Sequence, residues 1–196
     1  MARRAVLELM QSRWYRGWLL ALLLLMQMFG FIDRQIIGAL AEPIKLELGI
    51  SDTQLGLLGG IAFALLHSVL SIPVARLAER HNRVIIYGIG ILLWSAATIS
   101  CGLANSFALL LLTRIFVGVG ETTQPAATSL MADYYPSDRR VAASSITVLA
   151  VPLGAFIGSA AGGAIAEIAD WRWAFFAAGA PGLILGALFL LTIREP

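Results

Sequence analysis

The chain has 196 residues, of which 59% are hydrophobic and only 13% are charged, and its mean hydropathy is +0.82. A soluble domain of this size would expose so much apolar surface as one patch, so the composition predicts an integral membrane protein. The net charge of +2 is too small and too dispersed for a nucleic-acid partner, and a single cysteine excludes an internal disulfide.

Six apolar runs are each long enough to cross a bilayer as a helix. They lie near residues 17–41, 53–75, 84–104, 107–131, 141–166 and 172–193. No small-residue cleavage site follows the first run, so we expect it to be retained as a signal anchor. Between the runs, helix N-caps are predicted at Ser51 (a capping box with Gln54), Asn105–Ser106, Ser137–Asp138 and Asp170. The predicted fold class is an all-α membrane protein with six transmembrane helices in one domain, residues 17–196.

The charges between the runs predict the orientation. One side has ten arginines, namely Arg3, Arg4, Arg13, Arg16, Arg76, Arg80, Arg83, Arg139, Arg140 and Arg194. The other side has only Lys45 and Arg172. Positive loops stay inside, so we expect a multi-pass protein of the plasma or inner membrane with both termini in the cytoplasm. Residues 1–16, which are basic and partly apolar, form either an interfacial helix or a basic topogenic tail.

Four ionisable residues lie within two of the apolar runs: Asp33 and Arg34 in the first, and Arg114 and Glu121 in the fourth. Such groups are costly in a bilayer, so they indicate a functional site. The two runs occupy equivalent places if the six helices form a 3+3 inverted repeat, as in many transporters. If these helices face each other, Asp33–Arg114 and Arg34–Glu121 are the charge-neutral pairs. We expect proton coupling or substrate contact; structural salt bridges are the alternative.

Helical spacing places the charges of the fourth run on one face. Arg114, Gly118, Glu121 and Pro125 recur at this spacing, with Gly120 beside Glu121. This face combines charged side chains, a glycine that lets another helix approach closely and a proline that can kink the helix. Such a face is suited to lining a water-filled cavity. In the first run, Asp33 lies at the edge of a stripe formed by Gln27, Gly30, Arg34 and Gly38.

Three further features carry weaker predictions. His67 in the second run is either part of a proton relay or a hydrogen-bonded interhelical histidine. Opposite charges in residues 75–83 and 133–140 form either a state-dependent clasp or two solvated loops. Gly154, Gly158 and Gly162, at intervals of four, predict close helix packing, with the partner helix in this chain or in another half.

No hydrolase, zinc-protease, Walker or C-x-x-C motif occurs in the sequence. We therefore expect no enzyme, no catalytic residue, no metal site and no cofactor.

Six motifs together resemble the amino-terminal half of a major facilitator superfamily transporter, most closely the spinster-like branch. They are Phe-Ile-Asp-Arg-Gln at 31–35, Ser-Asp-Thr-Gln-Leu-Gly at 51–56, Val-Gly-Val-Gly-Glu at 117–121, Pro-Ala-Ala at 125–127, Trp-Arg at 171–172 before Phe175, and Thr-Ile-Arg-Glu-Pro at 192–196. The resemblance covers the whole chain.

The resemblance implies roles for particular residues. Arg114 with Gly118 and Gly120 matches the motif linked to proton coupling. The charges that match the central cavity, where coupling and substrate binding occur, are Asp33, Arg34 and Glu121. Those that match the cytoplasmic gating motif are Glu79, Arg80 and Arg83.

The resemblance also implies proton-coupled alternating access for an organic, lipid-like amphiphile such as a lysophospholipid or a sphingoid phosphate. Organic-anion symporters of the superfamily share the charged motifs, so a sugar-acid symporter is an alternative. A non-transporting membrane component or fragment is another.

Family members have twelve spans, so the resemblance implies that this chain is half of a twelve-helix fold. The expected partners are membrane lipids, protons, the solute and a second six-helix half, which is either missing or supplied by dimerisation. In the superfamily, the glycine stripe of the fifth helix and the second helix meet that other half.

Overall fold

The computed structural model describes residues 12–196, without the side chains of residues 61–63 and 66, and is helical almost throughout. Most of the predicted amino-terminal segment, residues 1–16, lies outside the described residues. The first described helix begins at Arg13.

The helices of the described part follow one another with short connections. In chain order they are α1 (Arg13–Ala39), α2 (Ala41–Leu48), α3 (Asp52–Gly59), α4 (Ile61–Arg80), α5 (Arg83–Cys101), α6 (Phe107–Glu121), α7 (Gln124–Tyr134), α8 (Ser137–Val148), α9 (Ala150–Ile168) and α10 (Arg172–Thr192).

Four helical stretches within residues 12–196 are long and apolar enough to cross a membrane: Arg13–Ala39, Arg83–Cys101, Ser137–Ile168 and Arg172–Thr192. The other two predicted spans are interrupted helices. The second is divided into α3 and α4 at Gly60, and the fourth into α6 and α7. With 15 and 11 residues, α6 and α7 are each shorter than the roughly 20 residues that cross a bilayer. The count of six spans therefore stays a prediction.

The break between α6 and α7 has a local chemical cause. Pro125 has no N–H to donate to the carbonyl of Glu121, four residues earlier. In addition, the hydroxyls of Thr122 and Thr123 donate to the carbonyls of Val119, at 2.6 Å, and Gly120, at 2.8 Å, and so compete with regular helical hydrogen bonding. The break leaves Glu121 as the last residue of α6.

The predicted helix caps are formed in part. Ser51 and Gln54 form the predicted capping box, and Ser106 accepts a hydrogen bond from the Leu109 N–H. The prediction at Ser137–Asp138 is wrong, because α8 already begins at Ser137, after Pro136. Asp170 lies one residue before the capping position, although its carboxylate accepts the Arg172 N–H at 2.9 Å.

The most extensive helix contacts join α1 to α9 and α5 to α10. The three stripe glycines of α9 lie against α1. A Cβ on Gly154 would lie 2.6 Å from the Met28 carbonyl oxygen, and one on Gly158 would lie 2.8 Å from the Gln35 Cβ. Only glycine permits this approach. The expectation from the family resemblance that this stripe meets a second half is wrong, because its partner is α1 of the same chain.

Candidate functional site

Two ion pairs join α1 to α6, in the pairing indicated by charge and spacing. An Nη1 atom of Arg114 lies 2.6 Å from Asp33 Oδ2. The Nη2 and Nε atoms of Arg34 lie 2.5 Å and 3.0 Å from the same oxygen of Glu121, Oε2. Each buried charge in this region therefore has a counter-charge on the facing helix, which offsets its cost in an apolar environment.

The two pairs differ in exposure. The side chains of Asp33 and Arg114 are 0% and 3% exposed, whereas those of Glu121 and Arg34 are 8% and 39% exposed. The Asp33–Arg114 pair is thus enclosed between helices, with the fully buried Cys101 and its neighbour Thr113 nearby. The Arg34–Glu121 pair borders open space. Of the two pairs, only the Arg34–Glu121 pair lines a cavity.

A cavity of about 380 Å³ lies beside the Arg34–Glu121 pair, between α1, α4, α5, α6, α7 and α8. Its charged end has Arg34, Glu121 and His67. The apolar lining includes Leu23, Met26, Tyr87, Ile91, Trp94 and Met131, and the uncharged polar lining includes Gln27, Gln124, Thr128, Ser144 and Thr147. The cavity therefore offers a charged end and an apolar wall to one ligand.

His67, Gly118 and Gly120 are positioned around the same charges. The His67 imidazole makes a hydrogen bond to the Gly118 backbone and lies within electrostatic range of Arg34. Gly120 contacts α5 closely, since a Cβ there would lie 2.6 Å from the Trp94 Cβ. Gly120 thus lets the backbone of α6 approach α5 at a position that a side chain would block.

At the predicted cytoplasmic end, Arg83 joins three segments. It lies 2.6 Å from Asp133 of α7 and 2.6 Å from Glu195, which follows α10. Glu195 also accepts the Val84 N–H at 3.1 Å. The other two residues of the expected gating motif, Glu79 and Arg80, are exposed, and neither forms an ion pair within residues 12–196. The motif residues are thus not brought together, and Glu195 takes a place that spacing did not predict.

At the opposite end, Glu47 of α2 binds the start of α10. It accepts from Trp171 Nε1 at 2.5 Å and from Arg172 at 2.6 Å, and Arg172 also donates to the Ala104 carbonyl at 3.1 Å. This contact ties α2, the α5–α6 connection and α10 together. Sequence reasoning noted the Trp-Arg dipeptide but did not identify its partner.

The sequence that forms this fold also matches a known protein family. The pattern of the Major Facilitator Superfamily matches residues 23–196. The chain belongs to the Major Facilitator Superfamily. Members of this superfamily are transporters, and the helical fold found here agrees with membership.

Three similar proteins are members or homologs of this superfamily, and two of them belong to its spinster-like branch. An MFS-type efflux pump of Mycolicibacterium smegmatis is 34% identical over 91% of this chain and 42% of its own length. The mouse sphingosine-1-phosphate transporter SPNS2 is 31% identical over 88% of this chain and 32% of its own. A bacterial homolog of the human lysosomal transporter Spinster, solved inward-facing and occupied, is 36% identical over 94% of this chain and 46% of its own, with a TM-score of 0.88.

These comparisons confirm the resemblance to the spinster-like branch. The chain spans less than half the length of each of the three relatives.

Some cavity residues of this superfamily member were missed by sequence reasoning. Trp94, Ser144 and Thr147 carry no charge, so the argument from the cost of charges in a bilayer did not identify them. For α8 the sequence did offer an indication of the cavity: Ser144 and Thr147 are polar residues three positions apart, so they share one face of the helix.

Proposed function

We propose that this chain is the amino-terminal half of a proton-coupled secondary transporter that carries an anionic, lipid-like amphiphile by alternating access. The observation that supports it most is the cavity with the Arg34–Glu121 pair at one end and an apolar wall along its side. The sphingosine 1-phosphate named for the mouse relative has this chemistry, an anionic headgroup on an apolar chain.

Coupling follows from competition for Arg34. The Nε and Nη2 atoms of Arg34 both bind one carboxylate oxygen of Glu121, so an incoming anion competes with that carboxylate for the guanidinium. A proton on Glu121 removes its negative charge and frees the guanidinium for the anion. Protons and anions therefore favour the same state, and each raises the affinity for the other. This sign corresponds to cotransport of proton and anion.

The enclosed Asp33–Arg114 pair has a second role in this proposal. It lies directly behind the cavity pair and interacts electrostatically with Glu121. Protonation of Asp33 would release Arg114 and loosen the contact between α1 and α6, which links protonation to helix movement. His67, at the cavity edge and near Arg34, is the proposed relay to these carboxyls.

The proposed alternating access requires a gate and a second wall. We assign the cytoplasmic gate to the clasp of Arg83 with Asp133 and Glu195, and the second wall to another six-helix half. Glu79 and Arg80, exposed beside the clasp, would meet that half. On α4, Leu65, Val69 and Ile72 are exposed apolar residues that it or membrane lipid would cover. The membrane is proposed to be the plasma or inner membrane, with both termini cytoplasmic.

The alternative function is that of a sugar-acid symporter. Arg34 supports this alternative, because a guanidinium at a cavity binds any carboxylate. The aliphatic side chains of Leu23, Met26 and Ile91 argue for the amphiphile, since a sugar acid would leave them without an apolar partner.

Transport in proteoliposomes that contain the chain together with its second six-helix half tests the proposal. With an acidic exterior and an alkaline lumen, we expect the protein to accumulate sphingosine 1-phosphate, and a protonophore to abolish the accumulation. Arg34→Gln should lower the initial rate about tenfold or more, because it removes a charge-assisted contact. The exposed Arg139→Gln variant is the matched control and should transport normally.

The other outcomes separate the alternatives. Accumulation of glucuronate but not of sphingosine 1-phosphate would show that the protein is a sugar-acid symporter. Movement of neither solute would indicate a non-transporting component and contradict the proposal.

A further inference from the structure

The indole N–H of Trp94 is a buried donor without a hydrogen bond. Trp94 is 1% exposed, and its Nε1 has no hydrogen-bond partner among the residues that the structure describes. A buried tryptophan N–H usually finds an acceptor, because leaving it unpaired destabilises the folded state. An unpaired donor that lines a cavity is therefore a site for a ligand acceptor.

The packing of the indole shows where the N–H points. The six-membered ring lies against α10, where a Cβ on Gly182 would lie 2.7 Å from Trp94 Cζ3. Nε1 is on the opposite edge of the indole from Cζ3, so the N–H is directed away from α10. Trp94 lines the cavity, whereas no residue of α10 does.

An unpaired acceptor lies on the same cavity wall. Arg34 binds only Oε2 of Glu121, and Oε1 has no hydrogen-bond partner in the described part of the chain. The two residues are neighbours across α5 and α6, because Gly120, which precedes Glu121, packs against the backbone and Cβ of Trp94. One cavity is thus lined by a residue with an unpaired donor, on α5, and a residue with an unpaired acceptor, at the end of α6.

We propose that Trp94 Nε1 and Glu121 Oε1 form a subsite that selects substrates bearing a hydroxyl group next to the anionic headgroup. With the proton on Oε2, Oε1 is the carbonyl oxygen of a neutral carboxylic acid, so a hydroxyl accepts from the indole N–H and donates to Oε1 at once. A phosphate oxygen offers only acceptors and an ammonium only donors, so neither satisfies both sides. Trp94 is then a specificity-determining residue of the transport site. This inference rests on the proposed function and adds which group of the substrate Trp94 of α5 binds.

Two matched probes test the subsite: 1-oleoyl-lysophosphatidic acid, which has a 2-hydroxyl, and its 2-deoxy analogue with the same chain and phosphate. We expect the protein in lipid nanodiscs to bind the hydroxyl probe about five- to tenfold more tightly, the usual effect of such hydrogen bonds. In Trp94→Phe, which keeps an aromatic ring but lacks the N–H, the two dissociation constants should agree within about twofold. Because the readout is a ratio within one variant, a lower folded fraction does not alter it.

Trp173→Phe is the matched control, since Trp173 is 61% exposed and lies outside the cavity lining. It should keep the wild-type ratio. An equal preference in Trp94→Phe and wild type would overturn the subsite, as would equal binding of both probes by wild type. If wild type binds neither probe, the proposed amphiphile site itself fails, and the subsite fails with it.

Discussion

Replacing Arg114 with leucine is expected to lower the free energy of unfolding by about 3–5 kcal/mol, the usual cost of breaking a buried ion pair. The substitution leaves the Asp33 carboxylate without its counter-charge, 2.6 Å away, in a place with no solvent exposure. Reversible unfolding in mixed micelles, followed by circular dichroism, measures this change.

A double variant separates lost charge balance from lost packing. Asp33→Asn combined with Arg114→Leu removes both charges, so it should recover most of the stability lost in the single variant. Arg139→Leu, at an exposed arginine, should unfold within about 0.5 kcal/mol of wild type. Wild-type stability of Arg114→Leu would contradict the description of this pair as enclosed between helices.

Glu121→Gln is expected to make anion binding independent of pH. Glutamine has nearly the shape of glutamate but carries no charge that competes for Arg34. Lysophosphatidylglycerol is a suitable probe, because its phosphodiester does not titrate near neutral pH. Its affinity for wild type should rise as pH falls, by at most about tenfold per pH unit if one proton is linked. In Glu121→Gln the affinity should be high and flat, while proton-driven accumulation is lost.

Glu167→Gln, at an exposed glutamate of α9, is the matched control and should keep the wild-type pH dependence. A Glu121→Gln variant with the wild-type slope would assign the linked proton to another group, such as His67 at the same cavity.

The charged residues of the site were predictable from the sequence because a bilayer makes each of them costly. Helical spacing placed Arg114 and Glu121 on one face, and neutrality then selected their partners on a helix more than 80 residues away. Sequence motifs indicated the superfamily independently, and the comparison confirms it.

Spacing gives the face of a helix but not the neighbour that covers it. For this reason the partner of Gly154 and Gly158 was open, and α1 occupies that place. The contact of Arg83 with Glu195 was missed because two charged residues 112 positions apart have no periodic relation. The break after Glu121 depends on threonine hydroxyls that compete with the helix, which a proline alone does not specify.

The most direct test of the central claim, that an anion and a proton exchange at the Arg34–Glu121 pair, is the number of protons bound when a ligand binds. Lysophosphatidylglycerol is added to the protein in weakly buffered solution, and a pH indicator reports the change. We predict net uptake approaching about one proton per bound molecule in wild type and none in Glu121→Gln. Binding by wild type without proton uptake, or with proton release, would contradict the claim.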